Sequence, residues 1–190
     1  MKIRFQFDLD KAIEAMSFIV GALGAIEKVK LLKLLYIADR EHFLAYGHPI
    51  TGDRLCAMRW GPLPSACLDA LNGQSWPVAD KAFEYIHVSD NTVTRKRDPG
   101  VGLLSETEIL VLREVLTVHG HKERWKLVGE THRFPEYVEC YEDGTSKTIP
   151  YELLLKHSGR QDSYQWNRPI ISPATLEHMI RPFPQSEPNL

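Results

Sequence analysis

A chain of 190 residues with 43% hydrophobic residues has the material for one compact domain, and a formal net charge of −2 lacks the basic excess of a nucleic-acid module. The three cysteines, Cys56, Cys67 and Cys140, are odd in number and form no C-x-x-C pair, which argues against a disulfide framework or structural zinc and fits a reducing cytoplasm. The leading MKIRFQFDLD has no apolar core of a secretory signal, and no stretch approaches the roughly 20 apolar residues of a membrane helix, so a cytoplasmic protein is expected.

Asp8 is suited to cap a first helix, in which Leu9, Ala12, Ile13, Met16, Ile19, Val20 and Leu23 recur at helical spacing. Gly21 and Gly24 weaken its end. The second helix, about 27–46, carries apolar residues from Val29 to Ala38 around most of its circumference, Leu35 and Tyr36 among them. A helix apolar on nearly all sides is covered by other elements, which makes this one the buried centre of the domain. Lys28, Lys30 and Lys33 are expected at its exposed end. Asp39 follows the apolar run, and a carboxylate there needs a partner, read as a hydrogen bond to a neighbouring loop.

After Gly47, His48 to Asp53 reads as a turn, Arg54 to Trp60 as a short extended segment, and Gly61-Pro62-Leu63-Pro64 as a sharp break. A short helix follows, with Pro64 in its first turn and Asn72-Gly73 as its stop. Phe83–Val88 and Thr92–Arg95 form the best strand pair, a small β-hairpin at about 83–95 with its turn at Ser89-Asp90-Asn91. The basic triplet Arg95-Lys96-Arg97 reads as a solvated edge. Ser105 and Glu108 spell a capping box, with Leu104 and Ile109 at the staple positions. Further helices are expected over 122–131, with Trp125 and Val128 inward, over 150–157, and after Ser172-Pro173. The proline-bearing stretch 181–190 is expected to be extended or disordered. The whole is a mainly α-helical domain, 1–160, with a C-terminal extension, 161–190.

Eight histidines prompt a search for metal sites, but the closest pair, His119-Gly120-His121, has no carboxylate or cysteine at a ligand spacing. Cys67 opens a short helix, yet reads as a small core residue. There is no G-x-S-x-G, P-loop or G-x-G-x-x-G. No catalytic residue, metal or cofactor is expected, and the weight moves toward a binding module. Trp60 and Trp76 each stand in a proline-bearing turn, suited to an interface anchor or to pinning a loop on the core. Pinning is favoured for Trp60 and Trp125, while Trp76 and Trp166 are open between the two.

The run Lys30-Leu31-Leu32-Lys33-Leu34-Leu35-Tyr36-Ile37-Ala38-Asp39, then Tyr46-Gly47-His48-Pro49-Ile50, then Trp60-Gly61-Pro62-Leu63-Pro64-Ser65, resembles the Panacea, or SocA-like, antitoxin domain. Leu104 to Glu108, Thr131-His132 and Ile149-Pro150-Tyr151-Glu152 continue the pattern, from about residue 5 to 160. Pro64 departs from it, as do residues 138–148. The resemblance implies the antitoxin of a bacterial or phage toxin–antitoxin system, which neutralises a protein toxin encoded nearby by direct protein–protein binding. It also implies an alternative, an adaptor delivering the toxin to an ATP-dependent protease. A metal-dependent hydrolase and a nucleic-acid binder rank below both. Candidate contact residues are Trp60, Pro62, Trp76 and Trp166, on a surface drawn from the ends of the central-helix region, the Gly-Pro turn and the hairpin. Leu35, Tyr36, Asp39, Gly61, Ser105 and Glu108 are expected to be structural.

Overall fold

The computed structural model describes residues 2–74 and 78–158. The Asp8 carboxylate accepts from the Lys11 amide at 3.0 Å and starts α1, Leu9–Leu23. A two-residue strand, β1 (Ile26–Glu27), leads straight into α2, Lys28–Tyr46. Leu35 and Tyr36 of α2 are completely buried. The helix lies against α1, β3, α3, β5, α5, α6 and α8, elements delimited below, which accounts for an apolar circumference. It stops where Gly47 turns left-handed, φ 87°, with its amide bonded to the Phe43 carbonyl.

The chain continues as β2 (Leu55–Met58), β3 (Gly61–Pro64), α3 (Ser65–Leu71), α4 (Val78–Tyr85), β4 (Ile86–Ser89) and β5 (Thr92–Arg95). After these come α5 (Glu106–His119), α6 (Arg124–Thr131), α7 (Pro135–Cys140), β6 (Lys147–Thr148) and α8 (Tyr151–His157). The molecule is mainly helical among the described residues, with two three-stranded antiparallel sheets ordered β1-β5-β4 and β3-β2-β6. Two sheets replace the single hairpin expected from sequence.

Other boundaries also differ from those expectations. Gly61–Pro64 is not a break. It is an edge strand paired with β2 in the register Cys56↔Leu63 and Met58↔Gly61. Prolines are tolerated there because an edge strand has a side on which a missing amide breaks no ladder. The segment from Phe83 is helical through Tyr85, so the β4–β5 hairpin spans 86–95. Its loop is the two-residue Asp90-Asn91, with Asp90 left-handed at φ 52°. Lys33, expected at an exposed helix end, is 1% exposed. Trp125, expected inward, is 55% exposed, and Trp60, expected to pin a loop on the core, is 47% exposed. The helix after Ser172 and the extension 161–190 lie outside the described residues.

Candidate functional site: an aromatic cleft above a buried lysine

The Asn91 carbonyl accepts the Lys28 amide at 2.7 Å, which seats the β4–β5 turn on the first turn of α2. The β2–β3 turn, Arg59-Trp60, comes up beside it, and α6 brings Arg124 and Trp125. The two indoles meet edge to face, centroids 5.1 Å apart. The Arg59 guanidinium lies 5.2 Å over Trp60, and that of Arg124 lies 4.5 Å over Trp125. Arg124 also pairs with Glu27 at 2.9 Å. Between them is a cleft of about 210 Å³ lined by Glu27, Val29, Trp60, Asn91, Arg124 and Trp125. The start of the central helix, the Gly-Pro turn and the hairpin thus border one depression. Trp76 and Trp166 lie outside the described residues, and Pro62 is buried in β3.

Beneath the turn is a lysine that the sequence reading placed in solvent. The Lys33 amine donates to the Pro62 carbonyl at 2.6 Å, and no carboxylate pairs with it among the described residues. Burial lowers its pKa to about 7. Gly61, φ 91°, has no side chain to spare room for. A Cβ there would lie 2.8 Å from Lys33 Nζ, 2.9 Å from the His132 ring and 3.0 Å from Thr131 Oγ1. The His132 ring stacks on Tyr137, centroids 4.8 Å apart. Its Nε2 is buried without a hydrogen-bond partner among the described residues. Burial, and then the Lys33 charge, lower its pKa. Tyr137 in turn donates to the Met58 carbonyl at 3.1 Å, so the Trp60 turn is braced from both sides.

The remaining buried polar groups hold loops and helix ends. Asp39 accepts from the amides of Ile50 and Thr51, each at 2.9 Å, and from the Thr51 hydroxyl at 2.5 Å. Burial pushes this carboxyl up to about 7, against the opposing pull of those hydrogen bonds. Asp53 accepts from the Ala66 and Cys67 amides at 2.9 and 2.8 Å and so ties down the start of α3. Glu136 accepts from the Tyr36 hydroxyl at 3.1 Å and from Arg40 Nε at 2.6 Å. Burial pushes the Tyr36 hydroxyl pKa well up, reinforced by Glu136. Ser105 and Glu108 form the capping box of α5, and Glu108 also pairs with Lys11 at 2.9 Å.

Three further features bear on chemistry. Cys67 is fully buried, and burial pushes its thiol far above the ordinary range, the reverse of what a nucleophile needs. His119 faces Lys122 and Glu130, at 3.0 and 3.3 Å, within a surface ion-pair group. Among the described residues the one grouping with metal-ligand proximity is His42, His48 and Glu108, whose ligand atoms lie within 4.8 Å of one another. Those atoms are largely committed. His42 Nδ1 is 2.7 Å from the His48 carbonyl and Nε2 is 3.1 Å from the Thr107 hydroxyl. The Glu108 oxygens serve Lys11 and the Ser105 amide. A metal would have to displace one of the two His42 bonds and compete for a Glu108 oxygen already in use, so the donors do not form an open site. A larger groove of about 790 Å³ runs between residues 2–5, 52–55 and 148–153. Three of its polar side chains serve the fold: Asp53 caps α3, Glu152 accepts the Ile3 amide, and the Tyr151 hydroxyl bonds the Asp53 carbonyl at 3.0 Å.

Lys33, the Arg40–Glu136 pair and the Trp60–Trp125 contact were missed from sequence. Lys33 had left a partial signal: of its neighbours one turn away, Val29, Tyr36 and Ile37 are apolar or aromatic and Lys30 alone is charged. The Arg40–Glu136 contact joins residues 96 apart and had none.

The arrangement is that of a small helical scaffold with most of its buried polar groups engaged in its own loops and an aromatic cleft turned outward. The family model for the Antitoxin SocA-like, Panacea domain matches residues 31–137, and the chain belongs to that family. The matched stretch holds Lys33, Asp39, the Trp60-Gly61-Pro62 turn, the α5 capping box and Thr131-His132. Neither the curated proteins nor the solved structures contain a match to it. No helix among the described residues is long and apolar enough to cross a membrane.

Proposed function

We propose that this chain is the antitoxin of a toxin–antitoxin pair and neutralises a protein toxin, encoded beside it, by binding it directly without catalysis. Membership of the antitoxin family supports the reading. The observation that carries it furthest is the pair of half-exposed indoles in contact, Trp60 on a braced turn and Trp125 at the head of α6. Tryptophans held in place before binding lose little entropy on docking, and a few such anchors dominate the energy of an interface of about 1,600 Å². The inert setting of Cys67 and the committed donors of His42 and Glu108 agree with a role that needs no chemistry of its own.

Expression of the neighbouring gene product alone should arrest growth. Co-expression with this chain should restore growth and yield a co-purifying complex. Persistent arrest with no association would remove the proposal. Delivery of the toxin to an ATP-dependent protease is the alternative. It would show as a toxin half-life that shortens only when both this chain and the protease are present.

A further inference from the structure

The geometry points to an acidic segment of a protein partner, carrying one large apolar side chain, as the occupant of the Trp60–Trp125 cleft. This inference rests on the antitoxin reading and adds the chemistry of the surface that docks there. The cleft, about 210 Å³, is below the size of the pockets that enclose small-molecule ligands, and it suits one inserted side chain. Half of its lining is the two indoles and Val29, and with Glu27 and Arg124 paired to each other the inserted side chain is apolar or aromatic.

Charge decides the flanks. Within the lining, Glu27 and Arg124 neutralise each other. Lys28, Lys30, Arg59 and Lys126 adjoin the lining in the chain, against Asp90 and Glu123. The excess is positive on a chain whose formal net charge is −2, with the Lys28 amine bonded to the Asn72 side chain at 2.8 Å. Arg59 is exposed over the Trp60 face and forms no ion pair among the described residues. It is ready for a carboxylate that lies beside an apolar group, since its guanidinium can keep the ring contact while its donors face outward.

A nucleic-acid strand fits less well. The basic excess is small for phosphate binding, which needs several unpaired cations along a backbone. The cleft is also prearranged. The turn that carries Trp60 is held by the β2–β3 pairing at Met58↔Gly61 and by the Tyr137 hydroxyl on the Met58 carbonyl, so little order is left to impose when the partner arrives.

The test uses the full chain labelled with 5-fluorotryptophan, its Trp60 and Trp125 fluorine signals assigned with W60F and W125F. It is titrated with the purified product of the adjacent gene. Both signals should move on saturation. W125A and R59E should each weaken the dissociation constant about tenfold or more, with an unchanged melting temperature. R59K should restore part of the loss, and affinity should fall as salt rises from about 0.1 to about 0.5 M. A complex that forms while both signals stay still and the variants bind normally overturns this assignment and leaves the antitoxin reading standing. The same signals shifting with an oligonucleotide, or with self-association of the chain alone, would also overturn it. Absence of any complex with the wild-type chain overturns the assignment together with the reading beneath it.

Discussion

Replacing Lys33 with methionine should remove a rise in stability that the wild-type chain shows above neutral pH. Burial lowers the folded-state pKa of Lys33 from 10.5 to about 7. Between those values the unfolded chain holds a proton on this amine that the folded chain does not. Stability therefore increases with pH across that window, by about 1.4 kcal/mol per pH unit from this group alone. Below about pH 7 both states carry the proton and the slope from Lys33 vanishes. The folded protein then bears a buried ammonium with the Pro62 carbonyl as its bonded acceptor at 2.6 Å. Methionine keeps the length of the side chain and has nothing to titrate. It leaves the Pro62 carbonyl without that donor, at a cost of about 1–3 kcal/mol. K33M should thus gain most on the wild type near pH 7, and that advantage should shrink by about 1.4 kcal/mol for each unit of rising pH. Urea denaturation followed by circular dichroism, at pH 7.5, 8.5 and 9.5 and constant ionic strength, measures the difference. Groups not coupled to Lys33 cancel because both proteins carry them, and His132, which feels the Lys33 charge, has a pKa below its ordinary 6.5 and so lies under the pH range used. A difference between the two proteins that is constant across the three pH values would refute the reasoning.

Gly61→Ala adds a Cβ at φ 91° within 2.8–3.0 Å of Lys33, Thr131 and His132, and should destabilise by about 3 kcal/mol or more in denaturant melts. Melting at the wild-type midpoint would mean that the turn relaxes freely. Ser105→Ala removes the hydroxyl that accepts the Glu108 amide and should cost about 1 kcal/mol in the same assay, whereas Ser105→Asp should cost little. Asp39 has a folded pKa raised from 3.8 to about 7, so the stability it confers is present at acid pH and lost as pH rises through 7. Asp39→Asn should accordingly gain on the wild type between about pH 4 and 7 and level off above, and thermal melts at pH 4.5 and 7.5 that show a fixed difference would contradict this.

The start of α5 was legible because Ser105-x-x-Glu108 is a local code, written within four residues and satisfied by backbone amides of the same turn. The burial of α2 was legible because a nearly unbroken apolar run on a helix leaves no face for solvent. What escaped was set by distant partners. Gly61-Pro62-Leu63-Pro64 looks like a break to any local rule, yet pairing with Leu55–Met58 makes it a strand, and its edge position excuses the prolines. Trp125 reads as an inward residue on an amphipathic helix. It is outward because Leu127, Val128 and Thr131 already fill the face of α6 turned to the core. The site was therefore legible as fragments, the Gly-Pro turn, the hairpin and the head of α2. That they border a single cleft follows from the Lys28–Asn91 bond and the β2–β3 pairing, neither of which leaves a trace in composition.

As the proposed antitoxin, this chain is a stoichiometric, non-catalytic binder of its neighbour's product. Calorimetric titration of the purified full chain into that product tests it most directly. A saturating isotherm with a fixed simple ratio, whose endpoint coincides with complete loss of the toxin's activity, is the predicted result. No heat of binding, or inactivation of many toxin molecules by each copy of this chain, would contradict it.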